Sequence, residues 1–150
     1  MIAHLHRIRK ERLNGDRGFT LTELLVVIVI IGILVAIAIP VFLSQREAAF
    51  ARSAEADVRN AIPAIETYYA DKNAYPAAFT VVGTGATAPS GASAAPVGLK
   101  VNASPGVVLN FTPSSTTPST YIVTSSHKEV TGKTWSFNST DSKLVETSTP

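Results

Sequence analysis

The sequence predicts an α+β fold: one long N-terminal helix, a transmembrane half followed by an amphipathic half, packed on a small antiparallel sheet of about four strands. Three observations carry this. Residues 24 to 43 form an unbroken, uncharged apolar run; an apolar stripe at helical spacing continues from it to Tyr69; and short β-branched and aromatic segments separated by turn residues fill the chain beyond Val107.

The first element is a basic tail. Residues 1 to 18 hold Arg7, Arg9, Lys10, Arg12 and Arg17 against Glu11 and Asp16, a net of +3 in a chain of +2, so everything after Gly18 sums to −1. Positive charge gathered beside an apolar run sets membrane orientation, so nucleic acid is not an expected partner. The run itself, Leu24 to Leu43, would rise ~30 Å as a helix, the thickness of a bilayer core. We therefore expect a single pass through the cytoplasmic membrane, with the N-terminus cytoplasmic and the remainder exported. Ala36-Ile37-Ala38 also fits an ordinary signal-peptidase site. Against that reading, the apolar region exceeds the about 7 to 15 residues of a signal-peptide core, and Pro40 follows the cut awkwardly.

After Leu43 the chain turns charged and alanine-rich. Phe50, Ala54, Val58, Ile62, Ile65 and Tyr69 recur at spacings of three and four, one helical face, while Arg46, Glu47, Arg52, Glu55, Asp57 and Arg59 lie largely off it. A helix from about Thr20 to Lys72 follows, its amphipathic part spanning residues 44 to 72. Pro40 and Pro63 each lack the N–H that bonds back one turn, so bends are expected at both. Residues 77 to 106 read as a loop; within it, 83 to 98 offer only Val97 as a sizeable apolar side chain. The sheet is expected over 107 to 147, as strands Val107 to Phe111, Thr120 to Ser126, Lys133 to Asn138 and Lys143 to Thr147. It has one face to cover, and the helical stripe is the natural cover.

The informative motif abuts the apolar run: Arg17-Gly18-Phe19-Thr20-Leu21-Thr22-Glu23-Leu24-Leu25. Locally, Thr20 and Glu23 fit a capping box, with the acid favoured by the helix dipole. The combination of basic leader, glycine, phenylalanine, an acid five residues after the glycine and then a span resembles the class III signal of type IV pilins and pseudopilins, over roughly residues 7 to 76. Thr22 departs from the family, where an aliphatic residue is usual. The later Tyr68-Tyr69-Ala70-Asp71 and Ala74-Tyr75-Pro76 look like the tyrosine-rich helix exit of the same proteins.

The resemblance implies a leader, residues 1 to 18, removed by a prepilin peptidase between Gly18 and Phe19, with N-methylation of the new Phe19 amine. It implies that residues 19 to 43 form the membrane and assembly helix, ahead of a globular domain at 44 to 150, and that Glu23 pairs with the terminal amine of a neighbouring subunit. Gly32 and Ala36 give a small-xxx-small face, and Pro40 stands where pilins carry a proline at which the helix opens in the fibre. The implied partners are other pilins, in a homo-oligomeric filament, and the pilus or secretion machinery in the membrane. The product is expected in the cytoplasmic membrane before assembly and in a cell-surface filament after it.

No catalytic role is expected. His4 and His6 lie in the leader and His127 stands alone, read as a solvated strand-end residue, so neither a triad nor a histidine metal site assembles. No cysteine is present to serve as nucleophile, disulfide or ligand, and no metal or other cofactor is expected. Three classes remain: a pilus subunit, a pseudopilin of a type II secretion or competence system, and a membrane-anchored binding domain that never polymerises. Glu23 counts against the third, because an anchor alone has no use for an acid there.

Overall fold

The computed structural model describes residues 18–114 and 120–148. The basic leader up to Arg17, and part of the turn before the second of the expected strands, lie outside the described residues. The chain divides into two compact units, Met1–Phe42 and Leu43–Pro150.

Helix α1 runs from Leu21 to Lys72. Its helical backbone continues through both Pro40 and Pro63 without a break. Past Pro63 the Thr67 hydroxyl donates to the Pro63 carbonyl at 2.8 Å, and an exposed Glu55–Arg59 pair one turn apart adds local support at 2.7 Å. The helix ends because Asn73 takes a left-handed backbone, φ 53°, letting its N–H reach the Tyr69 carbonyl at 2.7 Å; Pro76 then excludes a further turn.

Among the described residues five strands follow, one more than the sequence suggested: β1 (Phe79–Val82), β2 (Val107–Pro113), β3 (Tyr121–His127), β4 (Lys133–Asn138) and β5 (Lys143–Ser148). They form one antiparallel meander, each strand beside its predecessor. The extra strand falls inside the expected loop of residues 77 to 106. It has only four residues, too few to display a period, and its pairing of Phe79 with Phe111 and Val82 with Val108 depends on residues about thirty positions away.

The core of the second unit lies between one face of α1 and one face of the sheet. Ala54, Val58, Ala61 and Ile65 meet Leu109, Phe111, Tyr121, Val123 and Trp135, all buried. The buried face is thus rotated from the expected stripe. Ala61 replaces Ile62, and Tyr69 is only half-covered. Small side chains at 54 and 61 let the backbone of the helix come close to the strands, close enough for the buried Ser125 hydroxyl to donate to the Ala54 carbonyl at 2.7 Å. The loop also contributes to the core, through Leu99 and Val101, whereas Val97, its one large apolar residue in the 83–98 stretch, is wholly exposed.

Candidate functional site

At the start of α1 three hydrogen bonds close a reciprocal cap. The Thr20 N–H and hydroxyl both donate to Glu23 Oε2, at 2.8 and 2.9 Å, and the Glu23 N–H donates to the Thr20 hydroxyl at 3.2 Å. Within one chain the carboxylate is therefore engaged by its own helix terminus. Ahead of the cap, Gly18 is exposed and unpacked, with open space where a side chain would stand. Phe19 and Leu21 are 76% and 79% exposed.

From Leu24 to Leu43 every large apolar side chain is exposed to more than two-fifths of its surface. This part of α1 is long and apolar enough to cross a membrane, and none of its most apolar window is buried. Gly32, Ala36 and Pro40 are spaced by one turn each and so form a ridge along a single face; nothing lies near the position of a Cβ added at Gly32. The described structure brings Thr20 and Glu23 into contact and aligns Gly32, Ala36 and Pro40.

Two polar clusters in the second unit escaped the sequence reading, and a third completes the tyrosine-rich exit that the sequence singles out. Asp57, placed off the apolar face by its charge, is only 6% exposed. Its carboxylate accepts the Ser104 N–H at 2.6 Å and the Ser104 hydroxyl at 2.9 Å, tying α1 to the segment that leads into β2. His127 is no solvated strand end: it is 3% exposed and stacks on Phe50 with centroids 4.3 Å apart. Its Nδ1 accepts the Glu129 N–H at 3.1 Å, so Nε2 carries the proton and donates to the Pro105 carbonyl at 3.1 Å. Gly106 is obligatory beside it, since its φ is +82° and an added Cβ would stand 2.7 Å from His127 Nε2.

The third cluster gathers the tyrosines. Tyr69 stacks on Tyr75, and Tyr75 leans on Tyr121, which also contacts Phe111 and Phe137. The Tyr121 hydroxyl donates to Glu66 Oε1 at 2.7 Å, and the Tyr75 hydroxyl reaches the same carboxylate at 3.3 Å. Burial first, then the neighbouring Glu66 carboxylate, holds both phenols protonated beyond the usual tyrosine range. The tyrosine-rich helix exit thus closes the end of the core.

Residues 13–39 match the family described as the prokaryotic N-terminal methylation motif. The chain is 39% identical over 61 residues to the type II secretion system core protein G of Pectobacterium carotovorum subsp. carotovorum, covering 41% of this chain and 39% of that one. It is 38% identical over 69 residues to the type IV major pilin protein PilA of Myxococcus xanthus, covering 45% of this chain and 31% of the pilin. It is 41% identical over 76 residues to the fimbrial protein EcpC of Eikenella corrodens, covering 48% and 47%. The chain spans less than half the length of these curated relatives.

Proposed function

We propose that this chain is a structural subunit of a type IV pilus or a related filament, made as a membrane-anchored precursor and assembled through its N-terminal helix. The observation that carries this reading is the exposed apolar helix headed by Gly18, Phe19 and Glu23, inside a stretch that matches the methylation motif. The leader, residues 1 to 18, is cut away after Gly18, which without a side chain lets a peptidase reach the scissile bond. The new Phe19 amine is then methylated. In the filament Glu23 leaves part of its capping role to neutralise a neighbour's Phe19 amine, both groups being out of water, and the ridge of Gly32, Ala36 and Pro40 lets adjacent helices come close. The charge pair sets register more than it adds stability.

The secretion-system alternative rests on the core protein G relatives. Recovery in sheared surface filaments supports a pilin; confinement to membranes supports a pseudopilin. The test of assembly itself is Glu23→Gln. Glutamine can still complete the cap, so a purely capping residue would tolerate it with a loss below the ~0.5 to 2 kcal/mol of a typical cap. An assembly residue would not, because a neighbour's amine is left buried and unpaired at roughly 3 to 5 kcal/mol. We expect the variant to insert, to be cut, and to yield scarce filaments; filaments at normal yield refute the role. Intact mass and N-terminal peptide mapping check the processing: a mature chain starting at methylated Phe19 is expected, and one starting at Ile39 refutes it.

A further inference from the structure

In the second unit a hollow of about 190 Å³ is lined by Ser44, Glu47, Ala48, Ala51 and Lys133. It exists because the helix presents alanines at 48 and 51, one turn apart, where longer side chains would fill the space against β4. Its rim carries both signs of charge: Glu47 from α1, and Lys133 from β4, whose ammonium also meets Glu146 of β5 at 3.2 Å. A hydroxyl from Ser44 completes the set.

The position of the hollow along α1 identifies its surroundings. Ser44 directly follows Leu43, the last residue of the apolar run. With a rise of 1.5 Å per residue, Ser44 to Ala48 lie ~1.5 to 7.5 Å past the end of that run. The polar layer outside the hydrocarbon is ~5 to 7 Å deep in each leaflet, so Ser44 to Glu47 stand at headgroup depth when the helix spans the bilayer, and the hollow opens toward that layer from Ala51, ~12 Å past the run.

We infer that the hollow between Ser44, Glu47, Ala48, Ala51 and Lys133 seats the headgroup of a zwitterionic aminophospholipid. This rests on the reading of residues 19 to 43 as a membrane span. Lys133 and the Ser44 hydroxyl donate to the lipid phosphate, while Glu47 accepts from the primary ammonium. The charges discriminate among lipids. A phosphatidylglycerol headgroup brings an anion and no cation, so it leaves Glu47 unmatched and finds Lys133 already held by Glu146. A phosphatidylcholine headgroup brings a cation with no N–H to donate and three methyl groups to accommodate. The site holds the unassembled subunit at the membrane surface in one rotational setting, and it is emptied when the subunit leaves the bilayer.

The test uses the full chain, reconstituted in bilayers of phosphatidylethanolamine, phosphatidylglycerol and phosphatidylcholine in equal parts and re-extracted in mild detergent. Native mass spectrometry then counts the lipid retained. We expect phosphatidylethanolamine enriched about fivefold over either other lipid, an increment of the size one net hydrogen bond supplies. Glu47→Gln and Lys133→Gln should each bring the ratio near unity, and so should Ala48→Leu, which fills the hollow without changing charge; Lys100→Gln, outside the hollow, should leave it unchanged. Equal retention of the three lipids by the unaltered chain, or enrichment surviving Ala48→Leu, overturns the proposal. So do crosslinks from Lys133 to Glu47 of a second copy without lipid enrichment, which would make the hollow a subunit contact. Alkaline extraction separates this from failure of the span: a chain released from the bilayer refutes the membrane reading, whereas an integral chain with no lipid preference refutes the headgroup site alone.

Discussion

Tyr121 joins three parts of the core, packing on Phe111 and Phe137 of the sheet and donating to Glu66 of the helix. Tyr121→Phe keeps the ring and removes the bond, and should lower unfolding stability by about 1 to 2 kcal/mol, measured by urea denaturation. The sign of the pH effect follows from the raised phenol. The folded value lies above the ~10 of an unfolded tyrosine, so its contribution is complete below that pH and is lost as pH rises beyond it. The urea midpoint should therefore fall above pH ~10 in the unaltered chain and fall less in Tyr121→Phe. Gly106→Ala places a side chain at a positive φ and against the His127 ring, and should cost about 2 to 3 kcal/mol. Neither Asp57 nor His127 could have been assigned from sequence. Asp57 is buried only because Ser104, forty-seven residues on, offers two donors, and His127 because Phe50 and the Pro105 carbonyl meet it from other elements.

At the scale of elements, the contact between α1 and the sheet is set by how little stands between them. Ala54 and Ala61 are fully buried, and Ser125 bridges to the helix backbone. Ala54→Leu should therefore overpack the interface and destabilise by about 1 to 3 kcal/mol, where the same change at exposed Ala56 should be nearly silent; thermal unfolding of both variants checks this. Helix and strands β2 to β5 were legible because each carries enough residues to show its period and turn residues on both sides. The rotation of the helix face was not, since Ala61 wins over Ile62 by fitting a narrow gap rather than by hydrophobicity. Strand β1 escaped for want of length, and it holds its place partly through the Thr80 hydroxyl donating to Asn110 of β2 at 2.7 Å.

For the molecule as a whole, the two units have opposite relations to water. All the buried residues of the second unit's core lie at Ala54 or beyond, so a fragment starting at Ser44 should fold as a soluble, cooperatively unfolding monomer. Amide exchange should be slowest in β2 and β3, which are more buried than β4 although all three have neighbours on both sides, and fastest in the largely exposed β5. A fragment without a cooperative transition would refute this division. The N-terminal candidate site was legible because Gly18, Phe19 and Glu23 are contiguous in sequence and need no fold to bring them together. The order of elements also has a consequence in time. Synthesis delivers the helix first, and the strand that bonds to it at Glu66 arrives with Tyr121, fifty-five residues later, an interval of ~3 to 11 s at ordinary rates of ~5 to 20 residues per second. Throughout that wait the helix must stay soluble with its inner face bare. Ala54, Asp57 and Ala61 make that face poor in sticky surface, so the residues that allow close packing at the end also protect the nascent chain from aggregation at the beginning.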